Sequence, residues 1–324
     1  MSRTPMKIVY TGLVAAILCL AGLAPAANVR YAYRSTGKFP GAGFTNPLAL
    51  NSTHIVGEFE NAKTAGGYIE DIPSITGAEH HFLALAPPGS SASYASGINA
   101  HEVVVGGFCS AYGGCGYPEV QHGFSYDRGV YTTIDYPAAM STAVYGVNDP
   151  GQIVGGYCLL SAEVYCGGLL NPTDHGFLDD HGTFTTIDFP GASGTQPNAI
   201  NYAGVIVGSY DVGTTGPHSF LYRNGTFTNI DFPGANWTFA GAINNHGMVA
   251  GYYQDSKGQV HGFLYHAGKF ETVDHPNTSA TGLTGLNDAG DIVGTWNDPY
   301  NHPFIGFPVA LPRLPLSAEN SCAK

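Results

Sequence analysis

A cycle of His-x-Phe, then Gly-x-Phe-Thr-x-Ile-Asp-x-Pro-Gly, then Ile-Asn-x-x-Gly-x-Ile-Val-Gly-x-Tyr returns along this chain, and residues 175–210 are its clearest copy. A repeat of about 40 to 50 residues with four short strand signals is the pattern of a propeller blade. The Asn of the Ile-Asn step recurs at Asn51, Asn99, Asn148, Asn201, Asn244 and Asn287. The His of His-x-Phe recurs at His80, His122, His175, His218, His261 and His302. The two series are offset: the first Asn precedes the first His, and the last His follows the last Asn.

The expected fold is all-β: a six-bladed β-propeller with four antiparallel strands per blade, one blade being closed by both termini. Phe39-Pro40-Gly41-Ala42 aligns without a gap to Phe189-Pro190-Gly191-Ala192. The N-terminal segment is therefore expected to supply the second, third and fourth strands of a blade, and His302-Pro303-Phe304 a lone first strand. That pairing would cover a sheet edge. Within a repeat, Phe220-Leu221-Tyr222 reads as the first strand, Asn224-Gly225 as a hairpin turn, and residues 227–231 as the second strand. Pro233-Gly234 fits the middle of a type II turn. No long stretch beyond the N-terminal leader has 3.6-residue periodicity, which excludes a helical bundle.

Composition narrows the function. Charged residues are 11% of the chain, against roughly 25% in soluble domains, yet 20 Tyr and 17 Phe argue against disorder. The formal net charge is −12. Twelve Lys+Arg, scattered, make no basic face for nucleic acid, and an acidic surface does not adhere to anionic membranes. Residues 1–26 read as a signal peptide: Arg3 and Lys7, an apolar run over residues 11–23, then Ala24-Pro25-Ala26. The expected organisation is that leader, a propeller over 27–310 and a flexible tail over 311–324, in a secreted, periplasmic or cell-surface monomer with no stable membrane insertion after cleavage. Cys109 and Cys115 share one loop, as do Cys158 and Cys166, and two local disulfides are expected in an oxidising compartment.

These repeats resemble the HAF-repeat family of extracellular repeat proteins, named for a His-Ala-Phe step. Here the step reads His-Gly-Phe at 122–124, 175–177 and 261–263, His-Ser-Phe at 218–220 and His-Pro-Phe at 302–304. The resemblance implies secretion and a β-repeat, and no defined reaction. His80-His81-Phe82 departs from the pattern, because Ala86-Pro87-Pro88-Gly89 follows without a Gly-x-Phe-Thr signal. The second strand of that blade is in doubt on sequence grounds.

Four histidines have an Asp 13 residues later: His122/Asp135, His175/Asp188, His218/Asp231 and His261/Asp274. Antiparallel neighbours would place each pair side by side, in a charge-assisted hydrogen bond. A ring of histidines could bind metal or move protons. A residue repeated in every blade, however, serves what every blade needs, and the expected role is structural. The chain has no His/Cys spacing for zinc, no Gly-x-Ser-x-Gly elbow and no phosphate loop, so no metal, cofactor or catalytic residue is expected.

Length variation concentrates in residues 60–79, 109–121 and 158–174, which strand direction puts on one face. That face would also carry Trp237, Trp296, Tyr300, Tyr112, Tyr117 and Tyr165. Unequal loops on a rigid scaffold are where binding resides, and exposed aromatics stack on sugars or anchor proteins. The expected function is a non-catalytic binding module for an extracellular glycan or protein. The alternative is a secreted polysaccharide hydrolase or lyase using Glu119, Glu163, Asp174 or Asp298, or a loop His, as general acid or base.

Overall fold

The computed structural model describes residues 30–72, 80–110, 120–159, 174–213, 216–276, 278–296 and 302–309. Among these the chain forms strands and turns, with no helix. It opens with β1 (Arg30–Ser35). A first set follows: β2 (Phe44–Leu50), β3 (His54–Glu60), β4 (Ala65–Asp71) and β5 (Phe82–Leu85). The next is β6 (Ala92–Ile98), β7 (Val104–Cys109), β8 (Gln121–Asp127) and β9 (Val130–Ile134). Then come β10 (Ser141–Val147), β11 (Ile153–Cys158), β12 (Asp174–Asp180) and β13 (Thr183–Thr186). After them lie β14 (Gly194–Ile200), β15 (Ile206–Asp211), β16 (His218–Arg223) and β17 (Thr226–Asn229). A further set is β18 (Trp237–Ile243), β19 (Val249–Gln254), β20 (Val260–His266) and β21 (Lys269–Thr272). The last strands are β22 (Thr281–Leu286), β23 (Ile292–Trp296) and β24 (His302–Val309).

Three sheets contain one set each: β10–β13, β14–β17 and β18–β21. The sets β2–β5 and β6–β9 share an eight-stranded sheet, joined by the single parallel pair Ala65↔Ala92. The final sheet runs β22-β23-β24-β1, with Arg30 opposite Val309 and Ser35 opposite Phe304. Each sheet thus begins at the strand that ends near Asn, not at His-x-Phe as the motif order suggests. The Phe-Pro-Gly turn carries the chain from one set to the next. Ala235 N donates to Phe232 O there, at 3.0–3.1 Å in the equivalent turns at Phe39, Tyr136 and Phe189 as well, and Gly234 takes φ +78. Proline has no N–H to continue a ladder, so the strand stops at this step. The expected share of the chain ends is corrected accordingly: the N-terminal segment gives the sheet it shares with the C-terminal segment one strand, β1, and not three.

A second correction concerns the first set. The His-x-Phe place is not taken by His80-His81-Phe82. It is taken by Gly66-Gly67-Tyr68 on β4, where Tyr68 faces Gly57 as Phe177 faces Gly155 and Phe263 faces Gly251. The segment 60–79 is therefore not one loop but contains β4. Phe82 lies on β5, the second strand that the motif left in doubt. A tyrosine in place of phenylalanine and a glycine in place of histidine hid the strand.

The buried apolar residues lie between sets. One cluster joins Ala242, Ala250 and Leu264 to Leu283, Ile292 and Phe304. Another joins Leu50, Ile55 and Tyr68 to Val293 and Ile305, packing the first set on the last sheet. Within each sheet, the Gly of Ile-Val-Gly makes room for the bulged neighbouring strand. A Cβ on Gly251 would stand 2.0 Å from Phe239 O and 2.9 Å from the Phe263 ring, and Gly57, Gly106, Gly155, Gly208 and Gly294 meet the same obstacle at 1.9–2.3 Å. That is far inside van der Waals contact.

The repeated Asn residues form a clasp. Asn51 Nδ2 donates to Asn99 O, Asn99 to Asn148 O, Asn148 to Asn201 O, Asn201 to Asn244 O, Asn244 to Asn287 O, and Asn287 back to Asn51 O, all at 3.0–3.1 Å. Each Asn is first fixed by its own turn: Asn244 Oδ1 accepts from His246 N and Met248 N. Gly151 N, Gly204 N, Gly247 N and Gly290 N bond to the Asn carbonyls of their own turns. Those carbonyls are thereby saturated, and the ring holds strands to one another with little left for a ligand.

Candidate functional site

The four predicted His–Asp pairs are hydrogen-bonded through Nδ1: His122–Asp135 at 3.0 Å, His175–Asp188 at 2.8 Å, His218–Asp231 at 2.7 Å and His261–Asp274 at 2.8 Å. Each His also stacks on an aromatic of the preceding strand. In one seam Tyr136, Tyr157 and His175 form a column, with ring centroids 3.6 and 5.2 Å apart. Phe189, Tyr210 and His218 repeat it at 3.7 and 5.3 Å, as do Phe232, Tyr253 and His261 at 3.6 and 5.3 Å. Antiparallel register places the Asp of the second strand against the His of the first, and the column leans on that pair.

This column separates the two tryptophans that the sequence grouped together. Trp296 takes the place of Tyr253 in the last sheet, between His275 at 4.9 Å and His302 at 4.3 Å. It is a member of a seam. His302 has no Asp, since the β1–β24 register puts Gly37 in that position. Gly37 N donates instead to Glu70 Oε1 (2.7 Å), which also meets His80 Nδ1 at 2.6 Å. Burial pushes the Glu70 carboxyl up, while Gly37 N–H and His80 pull it back. Tyr300, Tyr112, Tyr117, Tyr165, Glu119, Glu163 and Asp298 lie outside the described residues. So do Cys115 and Cys166, while Cys109 and Cys158 are buried at the ends of β7 and β11. Asp174 opens β12.

Trp237 stands elsewhere, at the start of β18 beside Gly216 of the connection between β15 and β16. Strands β2, β6, β10, β14, β18 and β22 all line one central cavity of about 200 Å³, and no Lys or Arg is in its wall. At its floor stand Leu48, Ser96, Tyr145, Asn198, Gly241 and Thr284. Each is the extra residue of a bulge in its strand. Three of them tie one strand to the next: Ser96 Oγ donates to Val144 O (2.7 Å), Asn198 Nδ2 to Ala240 O (2.8 Å) and Thr284 Oγ1 to Pro47 O (2.7 Å).

The residues two positions before each bulge lie outside the wall of that cavity. With their cross-strand partners they are Asn46/Glu58, Tyr94/Gly107, Ala143/Gly156, Gln196/Ser209, Phe239/Tyr252 and Gly282/Thr295. Asn46 Nδ2 donates to Glu58 Oε1 at 3.1 Å. Burial pushes the Glu58 carboxyl up, against the Asn46 bond and with help from Glu60. Burial raises the Tyr94 phenol well above its usual value, and the Gln121 amide donates to it. Burial pushes Tyr252 up to about 12. Phe239 stacks on Tyr252 at 4.9 Å, and the Trp237 ring stands edge-on to it at 5.8 Å and 88°. Sequence reasoning missed Glu58, Tyr94 and Tyr252, because they stand at places where the repeats do not agree.

The groups at this level offer hydrogen bonding and ring contact. No group of three or more His, Cys, Asp or Glu that could hold a metal occurs among the described residues. Among the described residues, a hydroxyl–imidazole–carboxylate arrangement, Thr53 Oγ1 at 2.9 Å from His54 Nδ1 with Asp71 Oδ1 3.2 Å from Nε2, is local to a turn. Asn51 Oδ1, 3.2 Å from the Thr53 hydroxyl, competes for its proton.

No protein-family model and no curated protein matches this chain. Solved structures do match. A TolB structure from Agrobacterium tumefaciens aligns with TM-score 0.53 and 10% identity, over 88% of this chain and all of that one (100%). TolB from Acinetobacter baumannii aligns with TM-score 0.48 and 13% identity over 85% of this chain, which spans 65% of that longer protein. A mutant Aleuria aurantia lectin in complex with Fucalpha1-6GlcNAc aligns with TM-score 0.45 and 11% identity, over 84% of this chain and 99% of that one. At such identities a likeness shows the fold alone, and the Agrobacterium structure carries it: the chain is a β-propeller.

Proposed function

We propose that the protein is a secreted or periplasmic, non-catalytic binding module, a HAF-repeat propeller of six blades closed by the pairing of β24 with β1. It engages an extracellular glycan or protein through the face that carries its unequal loops. The observation behind this reading is the contrast between the two ends of the axis. At one end six short turns are bound into a cycle by their Asn side chains. At the other end the connections differ in length, from four residues between β3 and β4 to fifteen between β11 and β12. Variation tolerated at one end of a rigid scaffold marks the end where recognition can diversify.

Export belongs to the same proposal, with residues 1–26 as the leader and Cys109–Cys115 and Cys158–Cys166 as loop disulfides. In support, Cys109 and Cys158 end β7 and β11, next to the two longest loops of that face. The His–Asp pairs are structural in this reading, because each supports a seam column. A glycan array and a pull-down from extracellular protein, both with the purified mature chain, test it. Binding without turnover is the expected outcome. Release of reducing or unsaturated sugar ends would replace it with the hydrolase or lyase.

A further inference from the structure

β1 departs from the other outer strands of the ring. Every set ends in a strand paired on one side only: β5, β9, β13, β17 and β21, with β1 in the last sheet. β1 has six residues where the others have four or five. β5, β9, β13 and β17 carry no charged residue, and in β21 Lys269 and Glu271 cancel. β1 carries Arg30 and Arg34, and Lys38 follows. No Asp or Glu lies between them, in a chain of net charge −12.

Alternation gives β1 two faces. Tyr31 and Tyr33 lie on one. The Tyr31 hydroxyl donates to Gly290 O (3.1 Å) and the Tyr33 hydroxyl to Asp274 O (3.2 Å), while the Tyr33 ring packs on His275 and Phe304. Glu271, Asp274 and Asp291 stand near these tyrosines. Arg30, Ala32 and Arg34 are exposed on the other face, and β24 sets Val309, Phe307 and Ile305 opposite them. The Arg34 guanidinium lies 5.7 Å from the Phe307 ring centre, and Val309 is 47% exposed. None of Arg30, Arg34 and Lys38 is in an ion pair among the described residues.

Charges on an edge strand ordinarily keep other chains away. Five outer strands here do without that protection, so it does not explain the cations of β1. We infer that the free edge of β1 is a docking strand for an acidic, extended segment of a partner protein, which adds to the last sheet. Unpaired N–H and C=O groups along an edge continue their ladder with a peptide, and a sugar has no matching row. Arg30 and Arg34, four residues or about 13 Å apart along the strand, meet carboxylates at the same spacing in the added segment. A second copy of this chain is a poor occupant, because it would set arginine against arginine. The two tyrosine hydrogen bonds fix β1 beforehand, so docking orders little of this chain. The edge is separate from the loop face and does not depend on what that face binds.

The test titrates seven-residue Thr/Val peptides into the whole mature chain. A peptide with Glu at its second and sixth positions is expected to bind at low salt and to weaken as salt rises. Moving the later Glu to the fifth position puts the two carboxylates on opposite faces and weakens binding, and N-methylation along the peptide backbone abolishes it. Arg30→Ala and Arg34→Ala each weaken it about 2- to 5-fold, the worth of an exposed ion pair, with thermal midpoints unchanged. Equal affinity for both Glu spacings, for the N-methylated peptide or for both variants overturns strand addition. Tighter binding of an oligouronate than of the peptide overturns the partner class. A dimer in sedimentation that Arg30→Ala strengthens makes the occupant a second copy. Absence of binding by every acidic peptide overturns the docking strand, while ligand capture by the loop face is untouched.

Discussion

Two levels of one axis, a few residues apart on the same six strands, are built on opposite rules. At the Asn level every strand contributes the same side chain, and each bonds to the next. At the level of Glu58 the strands contribute residues as unlike as Gly282 and Phe239. The difference teaches where to look for function in a repeat protein. Repetition answers a requirement that every blade shares, while its abandonment marks positions free of that requirement. The tryptophans also differ: Trp296 does what Tyr210 and Tyr253 do elsewhere, and Trp237 stands between Tyr252 of its own sheet and Gly216 of the preceding set.

The comparison can be broken most severely at the ring itself. Deleting His302–Val309 strips β1 and β23 of their partner and exposes sheet edges. The expected product is aggregated on size exclusion, and a truncated protein that melts like the full chain would refute closure by the termini. Gly251→Ala comes next. Its Cβ collides with a backbone carbonyl, not a movable side chain, and a loss above about 4 kcal/mol is expected in chemical denaturation. An unchanged midpoint would mean that the pairing of β18 with β19 yields more readily than its geometry indicates.

Asn244→Ala removes three hydrogen bonds from a residue 5% exposed, a loss of about 3 kcal/mol at about 1 kcal/mol per bond. A negligible change would show that the clasp follows from closure and does not enforce it. His175→Ala gives up a pair in which both side chains are 41% exposed, so solvent screening limits the loss to about 1 kcal/mol or less, with ligand binding intact. Loss of binding in this variant would shift function from the loop face to the seams.

Glu58→Gln gives the smallest effect, of opposite sign. The folded carboxyl titrates above its unfolded value. Its contribution is therefore fully present below the unfolded pKa and is lost as pH rises through the folded pKa. The variant should melt no lower than the parent at neutral pH, and its advantage should vanish in acid. An advantage that grew in acid would mean that Glu58 is stabilised as a carboxylate.

Much of the scaffold was legible before any coordinates. Asn224-Gly225 announces a hairpin with positive φ at both residues, and the structure has +50 and +81. Asp follows His by 13 residues because a first strand, a tight turn and a second strand together span that distance. Pro-Gly announces a turn but does not say whether the next strand joins the same sheet. For that reason the sheets begin one half-repeat away from where the motif suggests. The first set was illegible for a chemical reason: Gly66-Gly67-Tyr68 keeps the small residue and the ring that the seam needs, and discards the His together with its partner, Ala86 standing where Asp would be.

By itself the amino-acid sequence determined the strand count per repeat, the turns, the seam aromatics and the recurrent Asn, because each answers a local demand of backbone geometry or of contact with the next copy. Tertiary structure alone decided that six distant Asn residues close into one cycle, and that Trp296 is walled into a seam. Those outcomes depend on residues brought together across nearly the whole chain, as Asn287 is to Asn51. No local pattern encodes the closure of a ring, which exists only when its last sheet meets its first.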